Sequence, residues 1–167
     1  IHNIMKLMLG QCSYYADVKS KQNQVVTLAQ FVTAIQSTRW KQQVEDYRRL
    51  KAEGRLKEAE AIKQRLPGLV SAGVCEGGHS KVNVRSLSGY LMIDIDDYGG
   101  DIHTLIRTLH AFPWVQAAWI SVSGSGAKAE VRVEVASVEE YEKKAYPLVA
   151  RYLSRALDTP VDMHCRD

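Results

Sequence analysis

Residues 128–135 alternate without a break: Val131, Val133 and Val135 fall on one side, Glu130, Arg132 and Glu134 on the other. An extended strand with one covered face sorts residues in this way, because successive side chains point to opposite faces. Such a strand needs partners, and the sequence supplies them. Tyr90–Asp96 is a β-rich run, and Asp101 caps an amphipathic helix carrying Ile102, Leu105, Ile106 and Leu109. Val115–Ser123 reads as a second strand and Gly124-Ser125-Gly126 as a turn. Ser137 begins a long helix through Tyr141, Ala145, Leu148, Val149, Tyr152 and Leu153, and Pro160–Cys165 reads as a last short strand. The order β-α-β-β-α-β predicts a ferredoxin-like or RRM-like core over residues 89–167, with two helices on one face of a four-stranded antiparallel sheet.

Residues 1–88 have a different period. Gln11–Val18 reads as a short strand, and Thr27 as the cap of a helix through Leu28, Phe31, Val32 and Ile35. Trp40, Val44, Tyr47 and Leu50 mark a second helix, and Leu56, Ala59, Ile62 and Leu66 a third, ended by Pro67. Gly54 separates the two. Leu69–Cys75 reads as a strand before the Gly77-Gly78 turn, and His79–Ser88 as a loop. The whole is an α+β chain: a basic, mainly helical amino-terminal module over 1–88, packed as one unit with the core over 89–167. A chain that begins at Ile1 is expected to be a piece of a longer protein.

Composition narrows the class. With 46% hydrophobic and 25% charged residues, wholesale disorder is excluded. No stretch reaches the ~20 apolar residues of a membrane span, since Lys6 breaks the first apolar run and Asp94 and Asp96 break the one from Tyr90. Cys12, Cys75 and Cys165 are odd in number and widely spaced, which fits a reducing cytoplasm better than a disulfide framework or a zinc site. The net charge of +3 hides a division: residues 1–90 carry +7, residues 91–167 carry −4. A basic half beside an acidic half suits a polyanion on one side and a cation on the other, although helical Lys and Arg are also ordinary solvated surface.

If the apolar residues of each strand face the helices, the remainder define an open face. Asp94 and Asp96 fall there, two apart on one strand, with Trp119, Ser121 and Ser123 on the second and Asp162 and His164 on the fourth. With the first strand central, Asp94, Asp96 and Asp162 would share one surface and repel one another unless a cation neutralised them. Three carboxylates in that setting suit Mg²⁺ or Mn²⁺, hard cations that prefer oxygen ligands. The alternative for a lone D-x-D is a wet sheet face. Ser121-Val-Ser-Gly-Ser-Gly-Ala-Lys128 is the second signal: glycines admit a ligand to the backbone, and successive N–H groups can cup a phosphate. It lacks the Walker A order, and its composition also suits a plain hairpin.

Three segments, Leu91–Asp97, Ser121–Lys128 and Val161–Asp167, resemble the motifs of the VirE amino-terminal family, a branch of the archaeo-eukaryotic primase superfamily. Val26–Phe31, Trp40-Lys41, Leu66-Pro67, Ser71–Gly73 and Ser88-Gly89 extend the likeness along the chain. The resemblance implies a primase-type catalytic fold with Asp94, Asp96 and Asp162 as metal ligands. It implies a nucleotide-phosphate loop containing Ser121, Ser123, Gly124, Gly126 and Lys128, with His164 nearby. Lys128 stands where the wider superfamily usually carries a histidine. The expected function is primase- or polymerase-type nucleotidyl transfer on a DNA template with nucleoside triphosphates, in a cytoplasmic replication protein of a mobile element, alongside a helicase-type ATPase. Lys41, Arg48, Arg49 and Arg55 are the expected DNA contacts. The alternative is a non-catalytic module of the same fold that binds single-stranded DNA or docks to the ATPase.

Overall fold

A computed structural model describes residues 10–163. Among them the chain is mixed α+β, with five helices and three small antiparallel sheets. The first sheet has β1 (Gln11–Tyr15) between β2 (Asn23–Thr27) and β3 (Gly68–Val70). Thr27 ends β2 and caps α1 (Leu28–Gln36): its hydroxyl accepts from Gln30 N–H, and Gln30 Oε1 accepts from Thr27 N–H at 2.8 Å. This reciprocal capping satisfies two donors that a helix start leaves orphaned. The hairpin of α2 (Lys41–Ala52) and α3 (Leu56–Lys63) turns at Gly54, whose φ of +75° favours glycine.

The expected strand over 69–75 is two strands. Its first part pairs with β1 as β3, and after Ser71-Ala72 the chain re-pairs as β4 (Gly73–Cys75) with β5 (Val84–Leu87) in a second sheet. β5 falls inside the expected loop, and β2 lies where no strand is legible. Both are short edge strands whose apolar residues are too few to set a period, and pairing with a neighbour defines them.

The third sheet runs β6 (Tyr90–Ile95), β8 (Ala127–Arg132), β7 (Val115–Ile120). α4 (Ile102–Ala111) begins at the Asp101 cap. α5 begins at the Ser137 cap and comprises Val138–Glu140, a π-helical turn Tyr141–Ala145 and Tyr146–Ala156. Pro147 lies just beyond the π turn, where its missing N–H interrupts the regular ladder. Leu105 and Leu109 of α4 and Tyr141, Tyr146, Ala150 and Leu153 of α5 pack with Leu91, Ile93, Ile95, Ala129 and Val131. Tyr15, Val70, Ala72 and Cys75 join the same cluster, so the principal core spans both sides of Ser88. A bulge at Gln116 lets Val115 and Ala118, three apart, both serve this face.

The other face of this sheet differs from the open surface expected. Cys12, Leu28, Phe31 and Leu69 pack on Tyr90, with Trp119 against them, and Gly10 N–H donates to Tyr90 Oη at 3.3 Å. Glu130, expected on a wet face, is 0% exposed. Beneath the same cover, burial first and the Glu130 carboxylate second push the Cys12 thiol up to about 12. Val122, expected inward, packs instead on Tyr47, Leu50 and Ala59, because β7 has ended at Ile120 and alternation with it. Pro160–Met163 form no strand ladder, but Val161 enters the principal core and Asp162 N–H donates to Asp94 O at 3.0 Å. His164 and Cys165 lie outside the described residues. Cys12 and Cys75 are free and buried, and no helix among the described residues is long and apolar enough to cross a membrane.

The β7–β8 turn is seated on the end of β6 through Gly126. A Cβ there would run into Ile95 O and come within 3.1 Å of Ser121 Oγ and 3.3 Å of Asp96 Cα. Gly126→Ala should therefore cost about 1–3 kcal/mol, as overpacking against backbone does. Gly99→Ala, which meets nothing within 4 Å, should be neutral. Chemical denaturation of both variants checks this; equal midpoints would contradict the seating.

Candidate functional site

Register places the site. Asp94 on β6 pairs with Lys128 on β8, and Lys128 with Trp119 on β7, so the three form one row across the sheet's second face. The backbone of Asp162 extends the row beyond Asp94 through its hydrogen bond. Lys128 Nζ is ion-paired to Asp94 Oδ2, both side chains about a third exposed, while Asp94 Oδ1 is buried with no hydrogen-bond partner. Asp96 lies just past the strand end and is exposed. Asp97 follows with φ of +45°, an uncommon conformation for a residue with a Cβ.

The turn Ser121–Gly126 is tied down on three sides. Ser121 N–H donates to Gly126 O at 2.8 Å, and Gly124 N–H to Ser121 O at 3.0 Å, with Gly124 at φ +83°. The hydroxyls form a file: Ser121 Oγ to Ser123 Oγ at 2.8 Å, Ser123 Oγ to Ser125 Oγ at 3.2 Å, then Ser125 Oγ donating to Asp97 Oδ1 at 2.9 Å. Tyr98 N–H donates to Ser125 O at 2.7 Å. The third tie is Arg48 of α2, whose Nε donates to Val122 O at 3.0 Å and Nη2 to Ser121 O at 3.2 Å. Its guanidinium lies over Gly124, where an added Cβ would meet Nε at 3.1 Å. Two cations, Arg48 and Lys128, thus flank a turn in which Gly126 is buried against β6 and Gly124 lies under the guanidinium.

The four basic residues expected to touch DNA have unlike surroundings. Arg49 bridges Asp46 and Glu53 at 3.2 Å each, and Arg55 bridges Glu53 and Glu58. These bonds hold the carboxyls of Asp46, Glu53 and Glu58 below their ordinary range. Lys41 lies 3.8 Å from Glu45. Arg48 instead grips the turn. Sequence reasoning missed that role, since the bond joins residues more than seventy positions apart. It also passed over Ser125 and Asp97, although both stand inside the quoted motifs.

As donors, Asp94, Asp96 and Asp162 offer the oxygen chemistry a hard cation requires, and the orphaned Asp94 Oδ1 is an available ligand atom. Among the described residues, however, no three His, Cys, Asp or Glu side chains are gathered as a metal-holding group. The charge that neutralises Asp94 is Lys128. A metal would take Asp94 in exchange for that ammonium.

The model of the BT4734-like N-terminal domain family matches residues 61–167, more than half of the chain, and the chain belongs to that family. No curated protein and no solved structure gives a significant match.

Arg48 and Arg49 make a matched pair of tests. Arg48→Ala should speed hydrogen exchange at the amides of 123–126 and cost about 1 kcal/mol, an ordinary value for a lost hydrogen bond. Arg49→Ala should leave those amides unchanged, because its partners lie on its own hairpin.

Proposed function

We propose that this member of the BT4734-like N-terminal domain family binds nucleoside triphosphates and serves primase-type nucleotidyl transfer on a DNA template, in a replication protein of a mobile element. The observation that carries the reading is the juxtaposition of the glycine- and serine-rich turn, flanked by Arg48 and Lys128, with Asp94. Serine hydroxyls between two cations suit a polyphosphate. Primase chemistry enters through the resemblance of the three motifs to the VirE amino-terminal family; the BT4734-like family description itself names no activity. The strand order β6-β8-β7, with Asp162 alongside β6, supports a ferredoxin-like core of the primase type.

In this reading Asp94, Asp96 and Asp162 hold Mg²⁺ or Mn²⁺, which supplies activation of the attacking 3′-hydroxyl and charge stabilisation at the leaving pyrophosphate. The chain's own part is placement. The Gly124 N–H is held by Ser121 O and Gly126 is buried, so the Ser123 hydroxyl faces the phosphate, Arg48 keeps the turn backbone in shape, and Lys128 moves from Asp94 to phosphate. Template contacts from Lys41, Arg49 and Arg55 would have to be made in competition with the acids each is paired to, while Arg48 is committed to the turn. A helicase-type ATPase is the partner the resemblance implies.

A second reading, a non-catalytic single-strand-binding or docking module, is favoured by the ion pair that occupies Asp94 and the absence, among the described residues, of a gathered ligand trio. Calorimetric titration of a triphosphate with Mg²⁺ separates the two. Lys128→Ala should weaken binding about ten-fold or more, the scale of a hydrogen bond to a charged group. Asp94→Asn should abolish the Mg²⁺-dependent part. If Lys128→Ala binds like the parent, the turn is only a hairpin; if Asp94→Asn does so too, the second reading holds.

A further inference from the structure

The Ser121–Gly126 turn stands at one end of a cleft of about 730 Å³ between α1–α2 and the second face of the β6-β8-β7 sheet. That volume is within the range of small-molecule sites, about 300–1,000 Å³. Its sheet side presents Met92, Trp119 and Lys128; its helical side presents Phe31, Val44 and Arg48. Trp119 is half-buried and held edge-on by Phe31, ring centroids 6.1 Å apart and planes at 69°, which fixes the indole while leaving it on the cleft. Trp119 lies beside Lys128 in register, so a flat aromatic surface sits one strand away from the ammonium.

The helical wall lies before residue 61, outside the part of the chain that matches the family. The charges on the cleft are Lys41, paired with Glu45, Lys128, paired with Asp94, and Arg48, whose guanidinium, among the described residues, bonds only to the turn carbonyls and is the uncompensated charge. The lining therefore attracts an anion, at the Arg48–Lys128 end. Aromatic walls leading to that end match a molecule with a flat apolar body and a phosphate tail.

We infer that this cleft is a stacking slot for the base of a free nucleotide, with Trp119 against the base and its phosphates directed to Arg48, Lys128 and the turn. The inference rests on the phosphate end of the reading above and adds the base subsite to it. A free nucleotide fits better than a strand, because Arg48 bridges α2 to Ser121 and Val122 and closes the phosphate end. A continuing backbone would need an exit there.

The test compares a nucleoside triphosphate with inorganic tripolyphosphate, each titrated with Mg²⁺ and followed by calorimetry and tryptophan fluorescence. The parent should bind both, with quenching by the nucleoside triphosphate alone. Trp119→Leu should weaken nucleoside triphosphate binding at least about five-fold, the lower end of base–aromatic stacking, and leave tripolyphosphate binding unchanged. Because Trp119 also packs on Phe31, Val44→Trp, which fills the cleft and leaves that pair alone, provides the second variant and should show the same selective loss. The slot is overturned if both variants bind the nucleoside triphosphate like the parent, if both ligands weaken equally, or if an oligothymidylate quenches and the free nucleotide does not. Tripolyphosphate binding that depends on Lys128 would then leave the phosphate reading standing. A parent that binds neither probe would overturn both.

Discussion

Strand β6 is covered along the whole of one face and at the start of the other, and the rest of the fold is arranged around that fact. Leu91, Ile93 and Ile95 are buried against α4 and α5, while Tyr90, pointing the other way, is buried under Cys12, Leu28 and Phe31. A strand sandwiched at its start and uncovered at its end creates a gradient of environment along a single face. Tyr90 is 3% exposed, Met92 is intermediate and borders the cleft, and Asp94 is about a third exposed. The acidic residue stands where the amino-terminal cover stops. The same cover, by resting on one side of the sheet, leaves the gap that becomes the cleft.

The ion pair between Asp94 and Lys128 follows from register. β6 and β8 pair Asp94 with Lys128 directly, and opposite charges in cross-strand positions attract. In the proposed reading, its consequence is that the carboxylate meant for the cation and the ammonium meant for phosphate occupy one another. A cation that takes Asp94 releases the ammonium toward phosphate, and a phosphate that draws Lys128 away bares the carboxylate. Metal and triphosphate would therefore assist each other's binding, as linkage between two ligands requires. The turn needs no such rearrangement, because Arg48, the serine file and Gly126 already fix its shape.

Much of this was legible in the sequence, for local reasons. Thr27, Asp101 and Ser137 cap helices where they were expected, since capping depends on side chains two or three residues away. Alternation from Lys128 marked the two faces of β8, and the usual strand order of a β-α-β-β-α-β unit put the strands of Asp94 and Lys128 side by side. What escaped was long-range. β2 and β5 owe their existence to partners, and the break between Val70 and Gly73 reflects a change of sheet that no local pattern encodes. Glu130 reads as solvent-facing because alternation tells which face a residue is on, not what later covers it. Arg48 reads as one more surface cation on a basic helix; only the turn at Ser121–Val122 distinguishes it.

The central claim is that the end of β6 and the Ser121–Lys128 turn form one metal- and phosphate-binding locus. Paramagnetic broadening by Mn²⁺ tests it most directly, recorded on backbone amide resonances with a non-hydrolysable nucleoside triphosphate present. The account predicts that the amides of Asp94, Asp96, Asp162 and Ser123–Lys128 broaden first and together, and that broadening at these positions is far weaker with Mn²⁺ alone. Broadening centred on other residues, or none at substoichiometric Mn²⁺ with the triphosphate bound, would contradict it.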